Sequence, residues 1–349
     1  MAKTTKDVAV SLCAAALVGL LGSAAVAGDI SGAGATFPAP VYTKWAEAYK
    51  KETNVGLNYQ PIGSGGGIKQ IEASTVTFGA SDKPLEQKDL EANGLVQWPM
   101  IIGGVVPTVN IEGVKPGELT LDGATIADIF LGTITKWNDA RIKALNPSLT
   151  LPNQAIAPIY RSDGSGTTFL FATYLSTVSP KFKSEIGADA SVQWPTGLGA
   201  KGNEGVAGMI ARTGGAIGYV EYAYVKQNKM TYAKVKNRDG KTVAPESKAF
   251  QAAAASADWS KAPGYYLILV DQPGADSWPI TGASFILMHK QAKDAEDSLT
   301  ALKFFAWAYT KGDKIADDLD YVPLPDNVVR MVEQTWLGIT AGGKPVWTK

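Results

Sequence analysis

Hydrophobic and polar positions follow two different periods along the chain, and stretches with the two periods alternate. Short apolar or alternating runs, typical of buried strands, cover residues 55–62, 76–80, 100–111, 155–161, 218–225, 265–270 and 284–290. Runs with helical spacing cover residues 66–74, 169–175, 299–309 and 326–337. Because strands and helices alternate, the pattern predicts an α/β protein with mixed or parallel sheets. Pro158 lies within one strand candidate and predicts an edge position or a bulge there.

The N-terminal segment differs from the rest of the chain. Two lysines precede an apolar run over residues 8–21, and the sequence Ala-Val-Ala at residues 25–27 places small residues where a signal peptidase reads them. We therefore predict a secretory signal peptide, residues 1–27, cleaved between Ala27 and Gly28. A transmembrane anchor is the alternative, but the apolar run is shorter than the roughly 20 residues that a membrane span needs.

Composition and charge mainly exclude certain partners and kinds of site. Hydrophobic residues make up 45% of the chain, charged residues 19%, and the net charge is zero, so no basic field favours nucleic acid as a partner. The single cysteine, Cys13, lies inside the predicted signal peptide, which leaves the mature chain without disulfides or thiolate metal sites. The single histidine, His289, lacks partners for a metal site and is better explained as a strand-end residue than as a hydrolase base. Carboxylate-only metal sites stay open, although the sequence has no EF-hand loop.

Four short segments place small or polar residues beside predicted strand ends or helix starts. They are residues 32–40, 63–67, 80–82 and 161–168, which read GAGATFPAP, GSGGG, ASD and RSDGSGTT. Three of them combine a hydroxyl with backbone N–H groups at a helix start, where anions bind. We predict that Thr36 and Ser165 are helix N-caps and that the three helix starts form one anion site. An ordinary capped helix is the alternative for each segment taken singly.

The arginine and the aspartate in the fourth segment allow two interpretations. Arg161 and Asp163 could form a surface ion pair, which would contribute little to stability. Alternatively, the carboxylate holds the guanidinium in place so that its fork faces an oxyanion. The residue types alone leave both interpretations open.

Common nucleotide-binding and catalytic motifs are incomplete. Residues 240–242 match the end of a P-loop, but Val235 stands where its first glycine belongs. Residues 197–202 match G-x-G-x-x-G, yet they follow QWPT rather than a buried strand, which disfavours a dinucleotide site. Both candidate serines lack the first glycine of a G-x-S-x-G elbow, because Ile62 and Asp163 occupy that position. The chain is rich in binding features and poor in catalytic ones.

The four segments, taken in order, resemble one known family. GAGATFPAPVYTKW, NYQPIGSGGGIKQI, FGASDKPL and RSDGSGTTF occur with family spacing, and the likeness continues through IIGGVVPTVNI, GAIGYVEYAY, SWPITGASFIL and LKFFAWAY. Over residues 30–349 the chain resembles the periplasmic phosphate-binding proteins of high-affinity bacterial phosphate ABC transporters. The resemblance implies an α/β, two-lobed periplasmic binding protein fold, type II-like, with the ligand in the interdomain cleft and hinge strands between the lobes.

The resemblance also implies a discontinuous arrangement of the two lobes. The first lobe is expected to comprise residues 28–110 and residues 284–349, and the second lobe residues 111–283. The chain is expected to cross between the lobes near residues 105–111 and near residues 278–285.

The ligand residues of the family carry over one by one onto this sequence. The expected phosphate ligands are Thr36, Phe37, Ser64, Asp82, Arg161, Ser165, Gly166 and Thr167. Asp163 is expected to brace Arg161 rather than to contact the ligand. Two local differences from the family, Thr77 and Lys83, are not expected to change the ligand, and Lys83 is expected near the mouth of the cleft.

The resemblance implies a phosphate receptor in the periplasm rather than an enzyme, and the chemistry of these residues is consistent with that function. A buried phosphate needs many hydrogen-bond donors, and hydroxyls, helix-start N–H groups and Arg161 would supply them. Asp82 would accept a proton from phosphate and repel sulfate, which carries no proton at neutral pH. No cofactor or metal is expected. The expected partners are inorganic phosphate and the inner-membrane permease subunits of the ABC transporter, and the receptor is expected to be a monomer.

Two alternatives belong to other functional classes. A secreted phosphate-ester hydrolase could use the same anion pocket, but it would need a nucleophile with a base or a metal cluster, and the sequence offers neither. A receptor for sulfate or another tetrahedral anion would share the donors, but Asp82 argues against it.

Overall fold

The computed structural model of the protein describes residues 29–348, and the predicted signal peptide lies outside the described residues. Within this range the strands are β1 (Ile30–Gly34), β2 (Leu57–Pro61), β3 (Phe78–Ser81), β4 (Leu95–Asn110), β5 (Thr120–Asp122), β6 (Ala157–Arg161), β7 (Leu198–Ala200), β8 (Ala216–Glu221), β9 (Thr231–Tyr232), β10 (Lys234–Lys236), β11 (Thr242–Val243), β12 (Thr281–His289), β13 (Thr340–Ala341) and β14 (Lys344–Pro345).

Helices alternate with these strands through most of the chain. They are α1 (Ala39–Thr53), α2 (Ser64–Glu72), α3 (Gln87–Ala92), α4 (Gly123–Phe130), α5 (Ala140–Leu145), α6 (Gly166–Val178), α7 (Pro180–Glu185), α8 (Gly202–Arg212), α9 (Tyr222–Gln227), α10 (Ser247–Ala254), α11 (Ala295–Lys311), α12 (Asp313–Asp318) and α13 (Asp326–Trp336). Among residues 29–348, no helix combines the length and the hydrophobicity that would let it cross a membrane.

Most strands belong to one mixed sheet. Its order is β2-β1-β3-β12-β4-β8-β6-β7, and β9 pairs with β4 outside this path. The strand β1 is parallel to β2 and β3, and β6 is parallel to β7 and β8, whereas β12 and β4 run antiparallel to their neighbours. Two smaller sheets, β11-β10-β5 and β13-β14, complete the described part of the chain.

The long strand β4 joins two halves of this sheet. It pairs with β12 as far as Gly104 and with β8 from Val105 onward. We call β2, β1, β3 and β12 the first half-sheet, and β8, β6 and β7 the second half-sheet. Nearly all of β4 is buried, as expected for an apolar strand that is covered on both faces. The α/β fold class is confirmed, whereas the lobe boundaries stay a prediction.

One large hydrophobic core extends over both half-sheets, and a smaller cluster within residues 29–348 contains Ile71, Leu85, Leu90, Leu95 and Leu287. On the first side, Trp98 of β4 packs edge-on against Phe305 and Trp336, with ring centroids 5.8 and 5.7 Å apart. On the second side, Phe171 of α6 stacks on Tyr219 of β8 at 4.2 Å. Aromatic pairs of this kind add about 0.5–1.5 kcal/mol beyond the burial of their area. This packing joins helices to the sheet on both sides.

One predicted strand ends earlier than expected. Residues 218–225 are extended only as far as Glu221, and α9 follows directly. The Glu221 carboxylate accepts a hydrogen bond from the Ala223 N–H group at 2.8 Å and so caps the helix. Tyrosine and valine favour strands, but this local cap decides in favour of a helix.

A second predicted strand, residues 265–270, is wrong. Gly264 and Tyr265 have φ angles of 59° and 55°, which turn the chain out of an extended path. Only Val270 makes a bridge, to Ile280. The other predicted strands and helices are present, although several of their ends differ.

The position of Pro158 also differs from the prediction. The strand β6 has β8 on one side and β7 on the other, so it is not an edge strand, and its pairing has no bulge. The Ala157 N–H group donates to Gly215 O on the β8 side at 3.1 Å, so the nitrogen of Pro158 faces the β7 side. Because β7 pairs only from Ile159 onward, the proline removes no hydrogen bond from the sheet.

Candidate anion-binding site

The candidate site lies where strand ends of the two half-sheets meet. Thr36 lies two residues beyond β1, Asp82 directly follows β3, and Arg161 is the last residue of β6. Ser64 is the first residue of α2, and residues 165–167 begin α6. Ligands of open α/β sheets bind beyond the carboxyl ends of the strands. The structure thus brings the predicted residues of both half-sheets into one place.

Ser64 connects the two half-sheets at this point. Its Oγ accepts hydrogen bonds from the N–H groups of Asp82 at 3.1 Å and Gly166 at 3.0 Å. The Gly65 N–H group donates to Gly164 O across the same boundary at 2.9 Å. A Cβ on either glycine would stand 3.2 Å from the Cα of the other, so the missing side chains let the two backbones approach.

Arg161 and Asp163 form a buried bidentate pair, which rules out the surface interpretation. Their side chains are 1% and 11% exposed. Arg161 Nε donates to Oδ1 of Asp163 at 2.8 Å, and Nη2 donates to Oδ2 at 2.6 Å, which fixes the guanidinium plane. Burial acts to raise the pKa of Asp163, but the hydrogen bonds from Arg161 and from the Gly202 N–H group outweigh it and hold the pKa below its usual value.

Asp82 is a buried carboxylate with unused acceptor capacity. It is 1% exposed, its Oδ2 accepts a long hydrogen bond from Ser64 Oγ at 3.4 Å, and its Oδ1 has no partner within residues 29–348. Burial raises the pKa of Asp82 to about 7, and the nearby Ser284 hydroxyl, the charge of Arg161 and the Ser64 hydroxyl oppose this rise in part, although Ser284 Oγ has no hydrogen-bond geometry to any acceptor or donor among residues 29–348. Such a carboxylate is suited to accept a proton from a bound ligand.

The prediction that Thr36 caps a helix is wrong. The helix α1 begins at Ala39 with Pro38 in the N-cap position, and no side chain caps it. Thr36 Oγ1 instead accepts hydrogen bonds from the backbone N–H group and the Nδ2 of Asn203, at 3.1 and 2.8 Å. Thr36 therefore reaches across to the second half-sheet.

The start of α6 agrees with the prediction. Ser165 is the N-cap, and its Oγ accepts a hydrogen bond from the Thr168 N–H group at 3.0 Å. Gly166 and Thr167 form the buried first turn of the helix. The first-turn N–H groups of a helix have no partner within the helix and attract an anion. Arg161 Nη1 donates to Thr167 Oγ1 at 3.3 Å, which places the guanidinium beside this turn.

The sequence analysis missed several buried polar residues around the site. They are Asn203, Glu221, Tyr224 and Tyr321. Tyr224 Oη donates to the carbonyl oxygen of Thr36 at 2.6 Å. Tyr321 Oη lies 2.6 Å from Phe37 O and 2.8 Å from Glu221 Oε2. Burial raises the pKa of Glu221 well above its usual value, although the hydrogen bonds from Tyr321 and from backbone N–H groups oppose this rise, so the environment of Glu221 favours its protonated form.

A local signal for Asn203 was present in the sequence. Asn203 directly follows residues 197–202, which we considered only as a dinucleotide motif. These residues contain β7 and the start of α8, so they form another strand-to-helix junction of the type that carries the other ligand candidates.

Two exposed ion pairs cross between the half-sheets near the site. Lys83 Nζ lies 2.6 Å from Asp189 Oδ1, and Lys226 Nζ lies 2.5 Å from Asp320 Oδ2. Exposed pairs contribute about 0–1 kcal/mol each. They therefore add little to the energy that holds the two sides together.

Substitution of Gly166 by alanine tests how closely the two sides approach. The added Cβ would stand 2.5 Å from Asp82 Cβ and 2.6 Å from Ser64 Oγ. Overpacking of this kind costs about 1–3 kcal/mol, so we expect Gly166→Ala to lower the affinity for inorganic phosphate about 5- to 150-fold in calorimetric titration. Gly205→Ala is the matched control, because its Cβ would meet its nearest atoms at an ordinary 3.6 Å. Equal affinities of the two variants would contradict the close approach.

Together these groups can hold an anion that carries a proton. The hydroxyls, the helix-start N–H groups and the Arg161 guanidinium are donors, whereas Asp82 offers a buried acceptor that is not held by a cation. Within residues 29–348, no cluster of three or more His, Cys, Asp and Glu side chains is arranged to bind a metal ion. This combination of several donors with one buried acceptor is suited to bind an anion.

Comparisons with known proteins agree with this fold and place the chain in a family. A family model described as the PBP superfamily domain matches residues 22–311. The phosphate-binding protein PstS of Xylella fastidiosa (strain 9a5c) is 52% identical over 307 residues, which cover 88% of this chain and 84% of the relative. The phosphate-binding protein PstS of Haemophilus influenzae is 51% identical over 312 residues, which cover 89% of this chain and 93% of the relative.

Solved structures show the same fold at low sequence identity. A high-affinity periplasmic phosphate-binding protein, PfluDING, bound with phosphate, has a TM-score of 0.72 and 20% identity, with 91% of this chain and 97% of that chain covered. The phosphate-binding protein of Stenotrophomonas maltophilia has a TM-score of 0.69 and 22% identity, with the same coverage. The fold and the site thus define a two-lobed solute-binding protein of the PBP superfamily. Within that superfamily the chain belongs to the PstS phosphate-binding protein family, which confirms the resemblance.

Proposed function

We propose that this protein binds inorganic phosphate in the periplasm and delivers it to the permease of an ABC-type phosphate importer. The observation that carries the proposal is the buried site itself, in which Arg161 and the start of α6 lie close to Asp82, whose Oδ1 has no partner among residues 29–348. The relatives in Xylella and Haemophilus are named phosphate-binding proteins, and a protein of the same fold was solved with phosphate bound. These names support the same ligand for this chain.

The proposed ligands are those that the family pattern implies. They are Thr36, Phe37, Ser64, Asp82, Arg161, Ser165, Gly166 and Thr167, with Asp163 bracing Arg161. Phosphate would enter this site without its water, and each oxygen left without a donor costs on the order of a few kcal/mol. Hydroxyls and helix-start N–H groups meet this demand, and the buried guanidinium adds charge-assisted hydrogen bonds.

We propose that Asp82 selects phosphate over sulfate. Both anions are tetrahedral and would fit the same donors. Phosphate at neutral pH carries a proton that it can donate to the free Oδ1 of Asp82, whereas sulfate would meet that oxygen as a like charge. Juxtaposed like charges cost several kcal/mol, so the carboxylate discriminates by repulsion.

We propose a binding protein rather than a hydrolase. Hydrolysis of a phosphate ester needs a nucleophile that is activated by an adjacent base. The hydroxyl oxygens of Ser64 and Ser165 accept hydrogen bonds from backbone N–H groups instead. The ring of His289 lies near the Ile71 carbonyl at 2.8 Å and the Ser74 hydroxyl at 3.0 Å, so its contacts are on α2 and the loop after it.

Delivery requires that the loaded and the empty receptor differ in shape. A ligand that contacts both half-sheets favours the closed arrangement, which the permease can then recognise. We propose that the moving units are the two lobes, residues 28–110 with 284–349 and residues 111–283. We further propose that the receptor is a monomer, exported after cleavage of residues 1–27.

Calorimetric titration of the chain from residue 28 onward, with phosphate and with sulfate at neutral pH, tests this function. We expect one phosphate per chain and no measurable sulfate binding. Failure to bind phosphate would contradict the proposed function, and equal affinities for the two anions would contradict the role of Asp82. Release of phosphate from a phosphate monoester, under the same conditions, would favour the hydrolase instead.

A further inference from the structure

Asn203 contributes to the site without belonging to the expected ligands. It is the second residue of α8, and its side chain is fully buried. Its Nδ2 lies 2.8 Å from Thr36 Oγ1 and 3.2 Å from Thr167 Oγ1, so a single amide group touches threonines of both half-sheets.

The orientation of the Asn203 amide follows from its other partner. Asn203 Oδ1 lies 3.0 Å from the backbone nitrogen of Glu221. A backbone N–H group can only donate, so the atom facing it must be the amide oxygen. The amide NH₂ group therefore faces the two threonine hydroxyls, and it can only donate to them.

The oxygen of Thr36 consequently has both of its acceptor positions filled. It accepts from Asn203 Nδ2 at 2.8 Å and from the Asn203 backbone N–H group at 3.1 Å. A hydroxyl oxygen has two lone pairs and one hydrogen. The hydrogen of Thr36 must then point elsewhere, and no protein acceptor for it lies within residues 29–348.

The hydroxyl oxygen of Thr167, on the other side, also accepts two hydrogen bonds. Its Oγ1 accepts from Asn203 Nδ2 at 3.2 Å and from Arg161 Nη1 at 3.3 Å. The Thr167 hydrogen also lacks an acceptor among the described residues. Both hydroxyl hydrogens are therefore left to donate to a ligand that contacts Thr36 and Thr167.

We propose that Asn203 is a positioning residue that fixes Thr36 and Thr167 as hydrogen-bond donors to the anion. This inference rests on the proposed function, because phosphate is taken as the anion. Asn203 acts through the two threonines, because both of its amide hydrogens are used within the protein. The contact between Asn203 and Thr36 joins the two half-sheets. The direction of the Thr36 hydrogen bond is therefore set when the two sides approach.

Fixed donors restrict the protonation state of the bound phosphate. A phosphate O–H group cannot face a hydroxyl whose lone pairs are already used, because two donors would then meet. Ligand protons are therefore directed to Asp82, and the monoprotonated dianion is the best match. Without Asn203 each hydroxyl can rotate and accept a proton, which makes the doubly protonated monoanion acceptable.

The test compares phosphate affinity at mildly alkaline pH, where the dianion predominates, with that at mildly acidic pH, where the monoanion predominates. Asn203→Ala is expected to weaken binding about tenfold or more at alkaline pH, since three neutral hydrogen bonds are lost. At acidic pH the loss relative to wild type should be at least about fivefold smaller. The charged or titratable groups around the threonines include Arg161, which donates to Thr167 Oγ1, Tyr224, which donates to Thr36 O, and the buried carboxyl group of Asp82. Burial raises the pKa of Asp82 to about 7, so Asp82 titrates in this pH range in the wild type and in the variant alike, and the two proteins are therefore compared at each pH.

Two further variants separate positioning from a general structural effect. Asn203→Asp places an acceptor where the amide donates, so both hydroxyls should turn toward it and phosphate binding should fall about a hundredfold or more at alkaline pH. Asn237→Ala is the matched control, because Asn237 is also buried and donates to the carbonyls of Gly274 and Ala275 at 2.9 and 3.0 Å. It should lower the unfolding midpoint without changing the affinity at either pH.

The outcomes distinguish this inference from the proposed function. An equal loss of affinity in Asn203→Ala at both pH values, or no loss at all, would overturn the positioning role. The proposed function would still stand if the wild-type protein binds phosphate. Asn203→Asp that binds as tightly as wild type would overturn it as well. A wild-type protein that does not bind phosphate would overturn the proposed function, and this inference with it.

Discussion

Arg161→Met is expected to lower the affinity for inorganic phosphate about 30-fold or more, and up to several thousandfold. Truncation of one partner in a buried, hydrogen-bonded charge pair costs about 2–5 kcal/mol, and each 1.4 kcal/mol corresponds to about tenfold in affinity. Arg161 is 1% exposed at its side chain and is held by both oxygens of Asp163, so water cannot replace it easily. Calorimetric titration with phosphate at neutral pH measures the effect.

Arg141→Met is the matched control for the loss of an arginine. Arg141 also pairs with carboxylates, Asp128 at 2.6 Å and Asp139 at 3.1 Å, but its side chain is 46% exposed. Its loss should leave phosphate affinity unchanged. An Arg161→Met protein that binds phosphate as tightly as this control would contradict the place of Arg161 in the site.

A double variant separates the binding role of Arg161 from its role in stability. In Arg161→Met the carboxylate of Asp163 stays partly buried without its cation, so the free energy of unfolding should also fall. Adding Asp163→Asn removes that charge and should restore stability, but it should not restore affinity. Recovery of affinity in the double variant would show that Arg161 acts only by neutralising Asp163.

Asp82→Asn is expected to raise the affinity for sulfate about a hundredfold or more. The carboxylate of Asp82 opposes sulfate as a like charge, at a cost of several kcal/mol, and the amide N–H group of asparagine can donate to sulfate instead. Phosphate binding should weaken, because its proton loses the acceptor at Oδ1. Titration with both anions at neutral pH gives the change in the selectivity ratio, and an unchanged ratio would show that another group discriminates.

Protonation of Asp82 in the wild type should have the same effect as the substitution. With a pKa of about 7, Asp82 becomes neutral as the pH falls below about 7, and its O–H group can then donate to sulfate. Sulfate affinity of the wild type should therefore rise as the pH falls through this range, whereas that of Asp82→Asn should stay flat. Sulfate affinity that does not respond to pH in the wild type would contradict Asp82 as the titrating group.

Local sequence signals predicted the elements that position the site. Ser165 at the start of α6 has the cap geometry that its residue type favours, because a cap depends on the next three residues only. The segments at residues 63–67 and 161–168 were predicted as helix starts of one anion site, but the contact between Gly65 and Gly164 was not predicted. No periodicity in the sequence relates the two segments, so this contact is seen only in the folded chain.

Contacts between distant segments explain what the sequence could not predict. Thr36 reads as a helix cap, yet its hydroxyl bonds to Asn203, 167 residues away, because Pro38 moves the helix start downstream. Glu221 reads as part of a strand, yet it ends that strand and caps α9. In both cases a tertiary contact or an unusual cap outweighed the local propensity.

The crystal structure of the mature protein with bound phosphate tests the central claim most directly. The account predicts one phosphate enclosed between the half-sheets, with oxygens bonded to Arg161, to the hydroxyls of Thr36 and Thr167, and to N–H groups at the start of α6. It further predicts one phosphate oxygen at a short hydrogen-bond distance from Asp82 Oδ1. A phosphate bound elsewhere, or one with Asp82 turned away from it, would contradict the account.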